Sequence, residues 1–307
     1  MTTQDLDTED VADIYDELLA TYKVEWAYRG HRSLHLAYYD DDHDEPGEAS
    51  MNTMRVLSEA ADVDSSDRVL NIGCGAGEDS IWNARAHGAT VIGVNISETQ
   101  LELARENARD HGVGDRTEFR YDDFQTLETV PDGSVDLVWG LEALAHSPDR
   151  PQALSAARRV LDEGGRVAFA DLFVRAGAAP ADADREDIET IEDGLGLRLG
   201  SIDGFERALG DAGFENVAVR DLTDGIRPGL EDRKQFASIA HPVGRLLGAI
   251  GIASEAQLDG LEASARIHDL VEKGVLGYYL ITADRGAPDG DSDDTVDHSP
   301  SDGTSAS

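Results

Sequence analysis

The sequence predicts an α/β fold: a mostly parallel, doubly wound sheet of seven strands, helices on both faces, and a helical insertion before the last strand. Three observations carry this. Strand-like runs alternate with helix-like stretches from about residue 68 onward, as in the crossover units of a parallel sheet. A glycine-rich turn separates the first such run from its helix. At 307 residues with 40% hydrophobic content, the chain can fill one large core plus a cover.

Taken in order, Arg68-Val69-Leu70-Asn71-Ile72 is a short apolar run read as the first strand, and Glu78 to His87 as its helix. Thr90 to Val94 is the second strand, and Ser97 is placed to cap a helix reaching about Asp110. Thr117 to Tyr121 is the third strand; Val135 to Trp139, after the turn Pro131-Asp132-Gly133-Ser134, is the fourth. Pro151 to Leu161 has helical periodicity and stops at Gly164-Gly165, and Arg166 to Ala170 is the fifth strand. Ser201 to Ala212 is a helix, Glu215 to Val219 the sixth strand and Gly277 to Thr282 the seventh. Between the last two, about 221–274 reads as two helices forming a lid. Residues 1–10 and 286–307 are too polar to pack and are expected to be disordered tails around one domain, 11–285.

Composition excludes several functions. Asp plus Glu total 63 against 26 Lys plus Arg, a formal net charge of -37 spread from Asp5 to Asp302. Self-repulsion on that scale strains a compact fold in dilute buffer, whereas at about 1 M salt the Debye length falls to roughly 3 Å and the surface becomes tolerable. The reading is a halophilic, cytoplasmic protein. Nucleic acid is a poor partner for such a surface. No apolar run is long enough to span a membrane, and the acidic N-terminus does not resemble a leader. Cys74 is the only cysteine, so paired-thiol chemistry and cysteine-based zinc cages are excluded. His31 and His35 have helical spacing but lack the glutamate of a metalloprotease helix, and no metal is expected.

The segment VLNIGCGAGEDS puts Gly73, Gly75 and Gly77 where absent side chains let backbone N–H groups approach a ligand. Glu78 stands where a dinucleotide turn needs glycine or alanine, which disfavours a pyrophosphate ligand. This turn, VIGVNISETQL, YDDF, PDGSVDLVWGLEALAHSPDR and RVLDEGGRVAFADLF, in this order from about Val69 to Asp171, resemble the class I S-adenosylmethionine-dependent methyltransferases with their Rossmann-like sheet. Within them the chain resembles the rebeccamycin and macrolide-sugar O-methyltransferase group, and also the sarcosine and dimethylglycine N-methyltransferases. The resemblance implies S-adenosylmethionine as cofactor. It implies that Gly73, Gly75 and Gly77 line its methionine half, that Asn95 faces the ribose hydroxyls, that Asp123 with Phe124 beside it holds the adenine, and that Asn71, Cys74, Ile96, Gln100, Asp122 and Leu141 also belong to the cofactor site. Asn71 and Asn95 stand where the family usually has Asp or Glu; neutral amides accept weaker hydrogen bonds than carboxylates, so affinity is expected to be lower.

Methyl transfer is an in-line displacement that mainly requires positioning and exclusion of water. His146, just past the fourth strand, is the candidate base; Asp171 at the end of the fifth is placed to orient it or the acceptor, and Glu142 shares that rim. Tyr22, Trp26, His31, His35, Tyr38 and Tyr39 form an aromatic N-terminal segment that, by resemblance, folds over the site. The lid residues Phe236, Ile239, Leu246, Leu247 and Ile250 form an apolar face that suits either an acceptor pocket or a dimer interface, leaving monomer and homodimer open. Three functions follow: O- or C-methylation of a small apolar metabolite of isoprenoid, quinone or natural-product type; N-methylation of sarcosine or dimethylglycine toward glycine betaine, for which Arg29, Arg32 or Arg227 must bind a carboxylate; or a non-catalytic cofactor-binding subunit.

Overall fold

Seven strands form one sheet in the order β3-β2-β1-β4-β5-β7-β6 in a computed structural model that describes residues 35–248 and 255–287, side chains at 236, 237, 239–248, 255–259 and 261 excepted. The elements are α1 (Pro46–Ala60), β1 (Arg68–Ile72), α2 (Glu78–Ala86), β2 (Thr90–Asn95), α3 (Glu98–Asp110), β3 (Thr117–Tyr121) and β4 (Val135–Leu141). There follow α4 (Arg150–Val160), β5 (Leu161–Val174), α5 (Asp182–Leu195), α6 (Ile202–Asp211), β6 (Phe214–Asp221), α7 (Thr223–Gly248), α8 (Glu255–Glu272) and β7 (Leu276–Arg285). β1 to β5 pair in parallel, and β7 runs antiparallel between β5 and β6. The expected sheet is present. β5 starts five residues earlier than expected because Leu161 already pairs with Val135 across a bulge.

Both faces are covered, which is why β1 and β4 are apolar almost throughout rather than alternating. One core layer brings Met54 and Leu57 of α1, Ile81 of α2 and Leu101 of α3 onto Val69, Leu137 and Trp139, and continues to Ile226 of α7 and Leu270 of α8. The other packs Leu154 of α4 and Phe205 and Leu209 of α6 on Val138, Val167 and Phe169. Helix starts are fixed locally: Ser97 Oγ accepts from Gln100 N at 3.1 Å, Asp149 Oδ1 from Gln152 N at 3.0 Å, and Ser201 Oγ from Gly204 N at 3.1 Å.

The insertion holds the two expected helices, α7 and α8. A third, α5, joins them although it lies before β6: Ile191 is fully buried, Lys273 Nζ sits 2.7 Å from Asp184 Oδ1, and Arg266 binds Asp187. The chain turns back at β1, sending β2 and β3 to one side and β4 onward to the other. In such sheets ligands bind beyond the carboxyl ends of the strands flanking that reversal, here β1 and β4.

Candidate functional site at the carboxyl ends of the strands

The glycine turn lies at this reversal. Gly73, Gly75 and Gly77 have φ of 65°, 52° and 88°, left-handed values that L side chains resist. A Cβ on Gly73 would stand 3.0 Å from Ala143 Cβ in the loop after β4, and one on Gly77 2.9 Å from Ala104 Cβ. Those two glycines permit close packing, whereas a Cβ on Gly75 would meet only Gln100 Oε1, at 3.6 Å. Gly75 is therefore the least crowded of the three, while Gly73 is the most exposed to solvent.

The other predicted cofactor residues fall into two sets. Asn95 Nδ2 donates to Gln100 Oε1 at 2.8 Å while its Oδ1 accepts from Ile96 N at 2.9 Å, so Asn95, Ile96 and Gln100 make one polar unit beside Gly75. Leu141 closes the β4 end of the reversal, and Phe124 packs half-buried against the second core layer. Asp123 Oδ1 accepts from Gln125 N at 2.8 Å. Three others brace the frame. Asn71 Nδ2 donates to Ser80 Oγ at 3.0 Å, tying β1 to α2. Cys74 N donates to Val94 O at 3.0 Å, and burial pushes the Cys74 thiol far up, so it is no nucleophile. Asp122 accepts from Glu128 N, Thr129 N and Thr129 Oγ1, at 3.1, 2.8 and 2.6 Å, and so closes the loop that presents Asp123.

On the β4–β5 rim, His146 ends a 3-10 turn, Leu144–His146, and its Nδ1 lies 3.1 Å from Gly196 O. A carbonyl only accepts, so Nδ1 carries the proton and Nε2 the lone pair. Burial lowers the imidazole to about 4, leaving it neutral. Asp171 is buried; its Oδ2 accepts from Ala145 N at 2.8 Å and its Oδ1 from Leu172 N at 2.9 Å. Burial raises it to about 6, opposed by those N–H groups and by Arg150. It thus holds the main chain of the turn on which His146 sits. Arg150 donates to Leu144 O at 3.2 Å and to Arg198 O, pinning that turn to the 196–198 segment.

Glu142 has φ 53°, a cost of about 1–2 kcal/mol for a non-glycine residue. Its Oε1 accepts from Leu36 N at 2.6 Å and from Tyr278 Oη at 2.9 Å, so the carboxylate is engaged by the N-terminal segment and the last strand. Burial raises it to about 7, with Arg233 acting in the opposite sense. Asp79 at the start of α2 is likewise raised to about 7 by burial, its Oδ2 3.4 Å from Trp139 Nε1. The sequence reading missed Asp79, Tyr278, Arg150 and Arg233: each lies in another element, and a stray acid, arginine or tyrosine has no local signature.

Of the aromatic N-terminal segment, His35, Tyr38 and Tyr39 are described, with Leu36 meeting Glu142; Tyr22, Trp26 and His31, like Arg29, Arg32 and the apolar lid side chains, lie outside the described residues. Arg227 is engaged by Asp224 and Glu272 at the surface. Among the described residues no three His, Cys, Asp or Glu side chains converge in a metal-ligating group, and no helix is long and apolar enough to cross a membrane.

The comparisons agree with this geometry. A family described as "Methyltransferase domain" matches residues 70–169. The chain is 33% identical to a 27-O-demethylrifamycin SV methyltransferase of Amycolatopsis mediterranei (strain S699), over 82% of this chain and 89% of that protein. It is 32% identical to a sarcosine/dimethylglycine N-methyltransferase of Halorhodospira halochloris, over 66% of this chain and 70% of that protein. Its fold matches a crystal structure of geranyl diphosphate C-methyltransferase from Streptomyces coelicolor A3(2), with TM-score 0.71, 20% identity, and 93% and 98% of the two chains covered. With a positive-φ glycine turn at the sheet reversal, an amide pair at the end of β2 and relatives this similar along most of its length, the chain belongs to the class I methyltransferases and is an S-adenosylmethionine-dependent enzyme.

Proposed function

We propose that the enzyme transfers the methyl group to an oxygen, or an activated carbon, of a small and largely apolar acceptor of isoprenoid, quinone or natural-product type. The observation that carries this is His146: neutral, lone pair on Nε2, held on a turn fixed by Asp171 and Arg150. When bound, the cofactor supplies an electrophilic methyl group. The glycine turn at Gly73, Gly75 and Gly77 would hold its methionine end, the Asn95–Gln100 unit its ribose, and Asp123 with Phe124 its adenine. His146 takes the acceptor's proton at Nε2. A base of such low basicity suffices, because a hydroxyl grows strongly acidic as its oxygen acquires the new carbon, so the proton leaves late.

N-methylation of sarcosine or dimethylglycine is the second reading, supported by the Halorhodospira relative. An amino-acid acceptor needs an arginine for its carboxylate; of the three candidates Arg227 is occupied at the surface, which leaves Arg29 or Arg32 for that role. We further infer one domain over 11–285 with acidic tails, working as a monomer or homodimer in a saline cytoplasm, on the support of the net charge of -37.

The test is calorimetric titration with S-adenosylmethionine in molar KCl, then a labelled-methyl screen over a hydroquinone, geraniol and sarcosine. His146→Ala is expected to cost roughly 100-fold in turnover with cofactor affinity kept; a loss under threefold removes the base assignment.

A further inference from the structure

The segment from His35 to Tyr39 is gripped from three directions. From α1, Thr53 Oγ1 donates to Leu36 O and Asn52 Nδ2 to Tyr38 O, both at 2.9 Å, and Ala49 O accepts from Tyr38 N at 3.0 Å. From α7, Gly225 O accepts from Tyr39 N at 2.8 Å, and the Tyr38 ring fills the space where a Cβ on Gly225 would stand 2.2 Å from it. Farther along α7, Arg233 Nη2 donates to His35 O at 3.2 Å. From the sheet, Glu142 accepts the Leu36 N–H, and Tyr278 of β7 donates to the same carboxylate oxygen. Glu142 makes these bonds from a left-handed backbone, and such departures persist where the surroundings over-determine them. Helix, lid, last strand and rim thus meet on five residues of chain beside the β1–β4 reversal.

Resting on the methyltransferase reading above, we propose that Glu142, Tyr278 and Arg233 are positioning residues for the methyl acceptor: they clasp His35–Tyr39 across the carboxyl end of β4, and this strap is the wall against which the acceptor binds. Glu142 acts on the reaction through the strap, not by moving a proton. Tyr278 orients the carboxylate, and Arg233 joins the strap to the lid so that the two move together.

The test has two arms. Hydrogen exchange of the peptide spanning 35–39, followed by mass spectrometry in molar KCl, is expected to speed about tenfold in Glu142→Ala and about threefold in Tyr278→Phe, while Glu142→Gln, which keeps an accepting oxygen, stays within threefold of the parent. In the second arm the fastest acceptor among the hydroquinone, geraniol and sarcosine serves as probe. Tyr278→Phe and Arg233→Ala are expected to raise its KM at least fivefold with kcat within twofold and cofactor affinity unchanged. Unaltered exchange in both Glu142→Ala and Tyr278→Phe overturns the clasp, and so does a fall in kcat at constant KM, which assigns these groups to proton transfer. The exchange arm needs no turnover, so it distinguishes failure of the clasp from failure of the methyltransferase reading.

Discussion

At the scale of single residues, ionisable groups are held where water is scarce. Asp79 keeps its proton to about 7 because burial opposes ionisation more than the Trp139 N–H favours it. The unfolded chain releases that proton near its ordinary value, 3.8. Between these limits the folded state holds a proton the unfolded state has lost, so stability falls as pH rises from about 4 to 7. Asparagine has no charge to bury and can still accept from Trp139. Asp79→Asn is expected to raise the melting temperature at pH 8 by about 4 °C, corresponding to about 2 kcal/mol once partial solvent access is discounted, and to leave it nearly unchanged at pH 4. A melting temperature at pH 8 no higher than the parent's contradicts the burial account. The residues that sequence made legible are those whose signal is local: three left-handed glycines at alternate positions from 73 to 77, or a serine capping its own helix. Glu142 bonded to Tyr278, and His146 bonded to Gly196, join positions far apart in the chain, and no periodicity reports such a pair.

At the scale of elements, the strands were readable because most are short apolar runs between turns, and two helices were not, each for a physical reason. On α1 the buried face carries Asn52, Thr53 and Ser58. The first two bind the strap and Ser58 accepts from Trp82 Nε1 at 3.2 Å, so polar residues interrupt the stripe a helix normally shows. On α5 acids crowd the sequence DADREDIETIEDGL, leaving Ile188, Ile191 and Leu195 as the contact line. Because Ile191 is fully buried there, Ile191→Ala should cost about 2–4 kcal/mol locally. Exchange is expected to rise in α5 and α8 while β1 to β4 stay protected; uniform deprotection means that α5 is part of the core, not of the lid.

Over the whole molecule, electrostatics divides into many small attractions and one large repulsion. Arginines are shared between acids: Arg55 lies near Asp40 and Glu59, Arg68 near Asp136 and Asp162, and Arg266 near Asp187 and Glu262. Such surface pairs contribute roughly 0–1 kcal/mol each, and salt weakens them. Salt also screens the mutual repulsion behind a net charge of -37, which grows with the square of that charge. The second effect dominates, so the melting temperature is expected to climb between 0.1 M and 3 M KCl; a flat or falling curve refutes the halophilic reading.

The lid's two ends meet. The chain leaves the sheet after Asp221 and returns at Leu276, and Asp221 pairs directly with Tyr279 in neighbouring antiparallel strands. An excursion that departs and arrives at one place can be lengthened, trimmed or swapped at little entropic cost, since loop closure grows only with the logarithm of length. The segment proposed to cover the acceptor is therefore detachable from the turn proposed to hold the nucleoside, and a foreign insertion grafted between those two strands has an anchorage already built to receive it.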